Sequence, residues 1–202
     1  LLANTLPANA DLFATAANYT KARMEYVEAR KLFEKLQASD PANEYLKEKI
    51  FLLDLDLFSL ASYHPYVLTE ESELRNHIEK VMSDEHTQRA SKYGKEALLT
   101  LRRIHYALSI ENWAAAQAQS QILGQMTKGM SGEGREYYRI FYSLQQKVLQ
   151  IKTAPTEMAL DIPVDEAAAV KIMADQSCPA RFYQWATHLI AGDSESADSV
   201  AV

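Results

Sequence analysis

Residues 46–60 read LKEKIFLLDLDLFSL, with apolar side chains at alternating intervals of four and three. The positions in this series are Leu46, Ile50, Leu53, Leu57 and Leu60. This spacing places side chains on one face of an α-helix. The alternation of leucine and aspartate over residues 53–57 also suits a β-strand, but it is short beside the helical period around it. We therefore predict a helix that starts near Pro41 and ends at His64-Pro65.

The apolar face of this helix is broader than a single stripe. It is widened by Phe51, Leu52, Leu55 and Phe58. A helix with a broad apolar face contacts more than one neighbour, so we expect a central position for it. Asp54 and Asp56 interrupt the face, and two residues apart on a helix they diverge by about 200°. We therefore expect exposed carboxylates at its edges, and no catalytic pair.

The same spacing extends upstream to residue 12. The series is Leu12, Thr15, Tyr19, Ala22, Tyr26, Ala29, Phe33 and Leu36. It predicts one helix of about 28 residues, since an apolar stripe of this period is a helix face. Ser39-Asp40-Pro41 ends it, because proline disfavours a helical conformation in the residue before it.

Further helices are predicted downstream. A short one ends near Val81, and a third long one carries the series Ala90, Gly94, Ala97, Leu101, Ile104 and Leu108. A break at residues 109–112 precedes a helix from Trp113 to about Lys128. Gly129, Gly132 and Gly134 mark a turn. A last long helix then carries Tyr137, Phe141, Leu144, Val148 and Ile151.

These elements predict an all-α fold. With 6 glycines and 6 prolines in 202 residues, we expect few turns and long elements, which argues against sandwiches and barrels. We predict an up-and-down bundle of four long helices with extra short helices. The expected organisation is a lead-in at 1–10, the bundle at 11–152, an appended helical hairpin at 153–192 and a disordered tail at 193–202.

Composition restricts the partners. The net charge of −6 argues against a nucleic-acid surface, which needs clustered Lys and Arg. No apolar run is long enough to cross a bilayer. The segment Ala8-Asn9-Ala10 resembles the cleavage site of an export signal, and the alternative is an ordinary helix lead-in. The first interpretation slightly favours an exported compartment such as the thylakoid lumen.

No residue set points to catalysis. The histidines are His64, His77, His86, His105 and His188, and none has the His-x-x-x-His or Glu-x-x-His spacing that places two metal ligands on one helix face. Glu73 and His77 are more typical of a solvated helix pair. Cys178 has no neighbouring base and is predicted to be structural. We therefore predict a protein that is not an enzyme and has no metal or cofactor.

The aromatic residues are the candidate interface. The chain has 11 tyrosines against 6 phenylalanines, and protein interfaces are enriched in tyrosine and tryptophan. The predicted interface residues are Tyr137, Tyr138, Tyr142, Phe182, Tyr183 and Trp185. The alternative is that these rings border the core with their hydroxyls in water.

Residues 101–124 resemble a known family. The order of a helix, a short break and a helix that starts with tryptophan is similar to that in PsbQ-type extrinsic subunits of photosystem II. The residues that carry this resemblance are Leu101 to Leu108, then Glu111-Asn112-Trp113 and Gln121 to Gly124. That resemblance implies a four-helix bundle in the thylakoid lumen, without catalytic residues, that binds a large complex peripherally to the membrane.

A second, local resemblance is to the tetratricopeptide repeat. Ala29, Phe33, Leu36 and Pro41 have the spacing of its second helix, which implies a peptide-binding adaptor. We expect a non-catalytic structural or docking subunit of a multi-subunit complex. The alternatives are that adaptor and a small-molecule-binding helical protein.

Overall fold

The computed structural model describes residues 2–15, 18–63 and 71–153. Within these ranges it contains eight helices and no strand. In chain order they are α1 Leu2–Thr15, α2 Tyr19–Ser39, α3 Glu44–Tyr63, α4 Glu71–Met82, α5 Asp84–Tyr93, α6 Glu96–Ser109, α7 Trp113–Gly129 and α8 Gly132–Thr153. The predicted all-α class is confirmed. The hairpin at 153–192 and the tail at 193–202 lie outside the described residues, apart from Thr153, which ends α8.

The chain forms two compact units, residues 1–102 and 103–202, and the boundary falls inside α6. The first holds α1 to α5 and the start of α6, and the second holds the end of α6 with α7 and α8. The bundle predicted over 11–152 spans this boundary. Its up-and-down arrangement remains a prediction.

The single first helix predicted from residue 12 is wrong. Asn18 begins a separate helix, α2, and its side-chain oxygen accepts a hydrogen bond from the Lys21 backbone N–H at 3.3 Å. In α1 the buried face carries Ala10 and Ala14. Leu12 lies about 200° from Ala10 around that helix, so it is 68% exposed.

The predicted apolar face of α2 is confirmed in its middle and wrong at its end. Its buried residues are Tyr19, Ala22, Tyr26, Ala29 and Phe33. Leu36, in contrast, is 47% exposed near the end of the helix. The turn after α2 contains Pro41, and α3 starts at Glu44 with the Asn43 side chain accepting from the Leu46 N–H.

The central position of α3 is confirmed. All five residues of its predicted series are buried, and so are Phe51, Leu55 and Phe58. The helix packs against α2, α4 and α5. Burial on several sides requires the broad apolar surface that its sequence carries.

The third long helix predicted from Ala90 to Leu108 is wrong. Gly94 adopts a left-handed conformation, with φ of 64°, and ends α5. Its N–H donates to the carbonyls of Ala90 and Ser91, and the Lys95 N–H donates to Ala90 at 2.8 Å. Glycine adopts this conformation without a steric penalty, so it acts here as a helix terminator rather than a small core residue.

In the second unit, α7 packs against α8. The predicted N-terminus of α7 is confirmed, because the Asn112 side chain accepts from the Ala115 N–H at 3.1 Å. The interface between the two helices contains buried polar groups. The Gln146 amide donates to the hydroxyl of the buried Ser120 at 2.8 Å, and Gln145 is also fully buried.

Candidate functional site

Asp54 lies at the centre of an ionic cluster in the first unit. The prediction of an exposed carboxylate at the edge of α3 is wrong, because the Asp54 side chain is 1% exposed. The α3 face is broad enough that α4 and α5 cover the side on which Asp54 lies. A buried carboxylate is tolerated only where cations and hydrogen bonds compensate its charge.

Two cations from other helices supply that compensation. The Arg30 Nε on α2 donates to Asp54 Oδ1 at 2.7 Å. The Lys80 ammonium on α4 lies 2.7 Å from Asp54 Oδ2. Arg30 also pairs with Glu34, one turn along α2, at 2.7 Å. The cluster therefore connects three helices through one carboxylate.

His86 completes the surroundings of Asp54. It is 1% exposed, and its Nε2 lies 3.5 Å from Asp54 Oδ2. This distance is at the upper limit of a hydrogen bond to the carboxylate, and the ring packs against Phe51 with centroids 5.3 Å apart. Burial acts to raise the pKa of Asp54, but His86, Lys80 and Arg30 outweigh it and hold the pKa well below its usual value. The carboxyl stays ionised, and its chemistry is that of a structural ion pair.

Asp56 has a different environment, on the side of α3 that faces α1 and α2. Its carboxylate lies 3.4 Å from the Arg102 guanidinium on α6. Nearby, the Tyr26 hydroxyl donates to Asp11 at 2.5 Å, and the charge of Asp11 acts on Asp56. Arg102 therefore compensates part of the charge of Asp56.

The protonation of Asp56 is set mainly by burial. Burial raises the pKa of its carboxyl to about 6, Arg102 opposes the rise and Asp11 adds to it. The side chain is 33% exposed, so solvent screens part of the effect. Burial and the charge of Asp56 also raise the pKa of the Tyr26 phenol, so that phenol stays protonated.

An open cleft of about 220 Å³ lies beside Asp56. Five of its lining residues follow one face of α3, and α1 and α2 contribute one each. The lining residues are Pro7, Phe33, Tyr45, Lys49, Leu52, Leu53 and Asp56. Its walls are thus mostly apolar, with one cation and one acid. The Lys49 ammonium lies over the Tyr45 ring, 5.3 Å from its centroid.

The predicted interface residues are only partly within the described chain. Tyr138 and Tyr142 are half-buried on α8. Tyr142 packs so closely on α7 that a Cβ added to Gly124 would lie 2.7 Å from its ring. Tyr137 lies on α8, and its side chain is outside the described part; Phe182, Tyr183 and Trp185 lie wholly outside it, as does Cys178. The interface role therefore stays a prediction.

Neither the cluster nor the cleft is predicted by the sequence pattern. Spacing along one helix cannot reveal that His86 on α5 approaches Asp54 on α3, or that Lys80 on α4 pairs with the same carboxylate. The one available signal was the pair of acids within an apolar helix face. Among the described residues, no group of three or more His, Cys, Asp or Glu side chains could hold a metal ion.

The chain was compared with protein-family models, with curated proteins and with solved structures, and none of the three comparisons gives a match. In the described part of the chain, no helix combines the length and apolar character needed to cross a membrane.

Proposed function

We propose that this chain is a non-catalytic helical protein that docks on a larger complex. The observation that carries the proposal is the pair Tyr138 and Tyr142 on α8. They are one helical turn apart, so they share a face, and both expose part of the side chain. Partly exposed tyrosines on one face are typical anchors of protein interfaces.

The packing of Tyr142 supports this role. Because its ring lies against Gly124, its rotamer is restricted before any partner binds. A side chain that is already ordered loses little conformational entropy on association. A rigid aromatic ring therefore contributes more of its contact energy to binding.

A capture experiment tests the proposal. Tagged wild-type chain and Tyr138→Ala are each cross-linked in an extract of the source cells. We expect the wild type to retain a stoichiometric protein complex and Tyr138→Ala to lose about tenfold or more of it, as hot-spot tyrosines do. Met24→Ala is the control, because it removes a large side chain that is 61% exposed in the other unit.

The outcomes separate the interpretations. Equal capture by wild type and Tyr138→Ala contradicts docking through α8, and a loss of stability above about 1 kcal/mol in Tyr138→Ala assigns the ring to the core. Tyr183→Ala tests the segment outside the described residues in the same way.

Recovery of a free peptide motif instead of a complex favours the tetratricopeptide-like adaptor. The narrower role as an extrinsic photosystem subunit is supported by the resemblance at 101–124 alone, and it requires that the captured complex be a photosystem.

A second candidate, a small-molecule-binding helical protein, is supported by the cleft beside Asp56. An apolar depression with a few polar groups is the usual form of a small-molecule site. Protein-observed NMR with single-ring compounds tests it, and saturable shifts at Leu52 and Leu53 are expected.

A further inference from the structure

We propose that residues 180–190 of this chain pack on the side of α7 that faces away from α8. We call this side the outer face of α7, and its residues are Ala114, Ala118, Gln121, Ile122 and Gln125. The inference goes beyond the docking role of α8 and beyond the small-molecule candidate, and it depends on neither.

The two sides of α7 have different environments. The side packed on α8 is buried and consists of Ala116, Ser120, Leu123, Gly124 and Thr127. Every residue of the outer face is exposed, and Ile122 is 41% exposed. Positions 114, 118, 121 and 125 follow one another at intervals of four, three and four, so they form one continuous helix face.

The outer face carries no charge. From Trp113 to Thr127, α7 has no Asp, Glu, Lys or Arg. An exposed helix face is normally charged, and α2 follows this rule. The exposed residues of α2 include Lys21, Glu28, Lys31, Glu34 and Lys35. Because interface centres are depleted of charge and alanine allows helices to approach closely, the outer face is typical of a surface that another helix covers.

The course of the chain indicates which segment covers it. The helices α7 and α8 are antiparallel, because Ser120 bonds to Gln146 and Gly124 contacts Tyr142. This register, continued along both helices, places the end of α8 beside Trp113 at the start of α7. The chain therefore leaves α8 at one end of the outer face, and residues 103–202 belong to one compact unit.

The connection is long enough for this packing. The 17 residues of α7 span about 25 Å, and the extended length of residues 154–179 exceeds that distance. A segment of the same chain also binds at an effective concentration up to the millimolar range. A tethered segment is therefore favoured over a second copy as the occupant.

The sequence of residues 180–190, ARFYQWATHLI, fits the outer face. Its spacing predicts a helix of about 16 Å, with an apolar face formed by Phe182, Trp185, Ala186 and Leu189. Arg181 is its one residue among Asp, Glu, Lys and Arg, and it is off that face. Tyr183 is about 100° from Phe182 around such a helix, so it stays accessible to a docking partner.

Paramagnetic NMR of the full-length ¹⁵N-labelled chain tests the proposal. Cys178→Ser removes the native thiol, and Gln117→Cys carries a nitroxide beside the outer face, where Gln117 is exposed. We expect the nitroxide to broaden the amide signals of residues 180–190, in comparison with the same sample after reduction of the label.

Two variants make the result specific to the outer face. Ala118→Glu should abolish the broadening at residues 180–190, because packing of the segment would remove the new charge from water. Glutamate is a good helix former, so α7 itself should fold. Trp185→Ala should also reduce the broadening. Ala38→Glu is the matched control, since it adds the same charge at an exposed alanine of α2 and should leave the broadening unchanged.

Three results would overturn the proposal. The first is the absence of broadening at residues 180–190. The second is broadening that persists in Ala118→Glu, which would place the segment on another surface. The third is broadening in a mixture of nitroxide-labelled ¹⁴N chain and unlabelled ¹⁵N chain, which would assign the outer face to a second copy.

Discussion

Arg30 Nε donates to Asp54 Oδ1 across 2.7 Å, and this bond joins α2 to α3 within the first unit. Asp54 is 1% exposed while 25% of the Arg30 side chain remains exposed. The carboxylate therefore depends on its partners more than the guanidinium does. Its second oxygen faces Lys80 and His86, so removing Asp54 affects three positive or protonatable side chains at once.

Asp54→Ala is expected to destabilise the protein by about 3–5 kcal/mol, because it leaves Arg30 and Lys80 next to a buried site without a counter-charge. Urea denaturation followed by circular dichroism measures the change. Glu34→Gln is the matched control. It removes the more exposed carboxylate on the same Arg30, and a loss below about 1 kcal/mol is expected. Equal losses in the two variants would contradict the role assigned to Asp54.

Relative to the wild type, Asp56→Asn is expected to become more stable as the pH increases. The folded-state pKa of Asp56 is raised from 3.8 to about 6, so its contribution to stability is present below 3.8 and is lost as pH rises through about 6. Asparagine stays neutral across that window. The test measures the urea midpoints of both proteins at pH values below 3.8 and above 6. A difference between the two midpoints that does not change with pH contradicts the prediction.

Asp54→Asn should show the opposite pH dependence. The folded-state pKa of Asp54 is depressed, so its contribution is present above the ordinary value of 3.8 and is lost as pH falls through the folded pKa. The loss of unfolding free energy caused by this substitution should therefore be smaller in acid. The same urea series, extended to lower pH, measures it, and a deficit that grows in acid would be inconsistent with an ionised, paired Asp54.

Gly124→Ala is expected to cost about 1–3 kcal/mol, because the new Cβ would lie 2.7 Å from a Tyr142 ring carbon and the ring must move. Combining it with Tyr142→Ala should recover part of this loss, and a double-mutant cycle measures the coupling. Gly129→Ala is the control, since nothing lies within 4 Å of a Cβ there. Additive losses at positions 124 and 142 would show that the two residues do not interact.

Gly94→Ala is expected to destabilise the first unit by about 1–2 kcal/mol. No neighbouring atom lies within 4 Å of the added Cβ, so the penalty comes from the φ of 64° alone. Thermal unfolding of this variant beside Gly129→Ala, whose φ is not positive, measures the difference. Equal midpoints would mean that α5 and α6 can form the continuous helix that the sequence predicts.

Local spacing was sufficient to predict the all-α class and the positions of α3 and α7. The series from Leu46 to Leu60 identified α3 and its central position, and Asn112 identified the start of α7, because a helix period and a cap depend on residues a few positions apart. The breaks at Asn18 and Gly94 were not predicted, since a series of apolar or small residues can continue in phase across the end of one helix and the start of the next.

The tertiary structure decided which polar residues meet. Asp54 and Asp56 are two residues apart on one helix, yet the first is enclosed with Lys80 and His86 and the second lies at a cleft beside Arg102. Periodicity shows that their side chains diverge but not which neighbour covers each side. That depends on how helices distant in sequence pack around α3, and burial then determines that one carboxyl has a lowered pKa and the other a raised one.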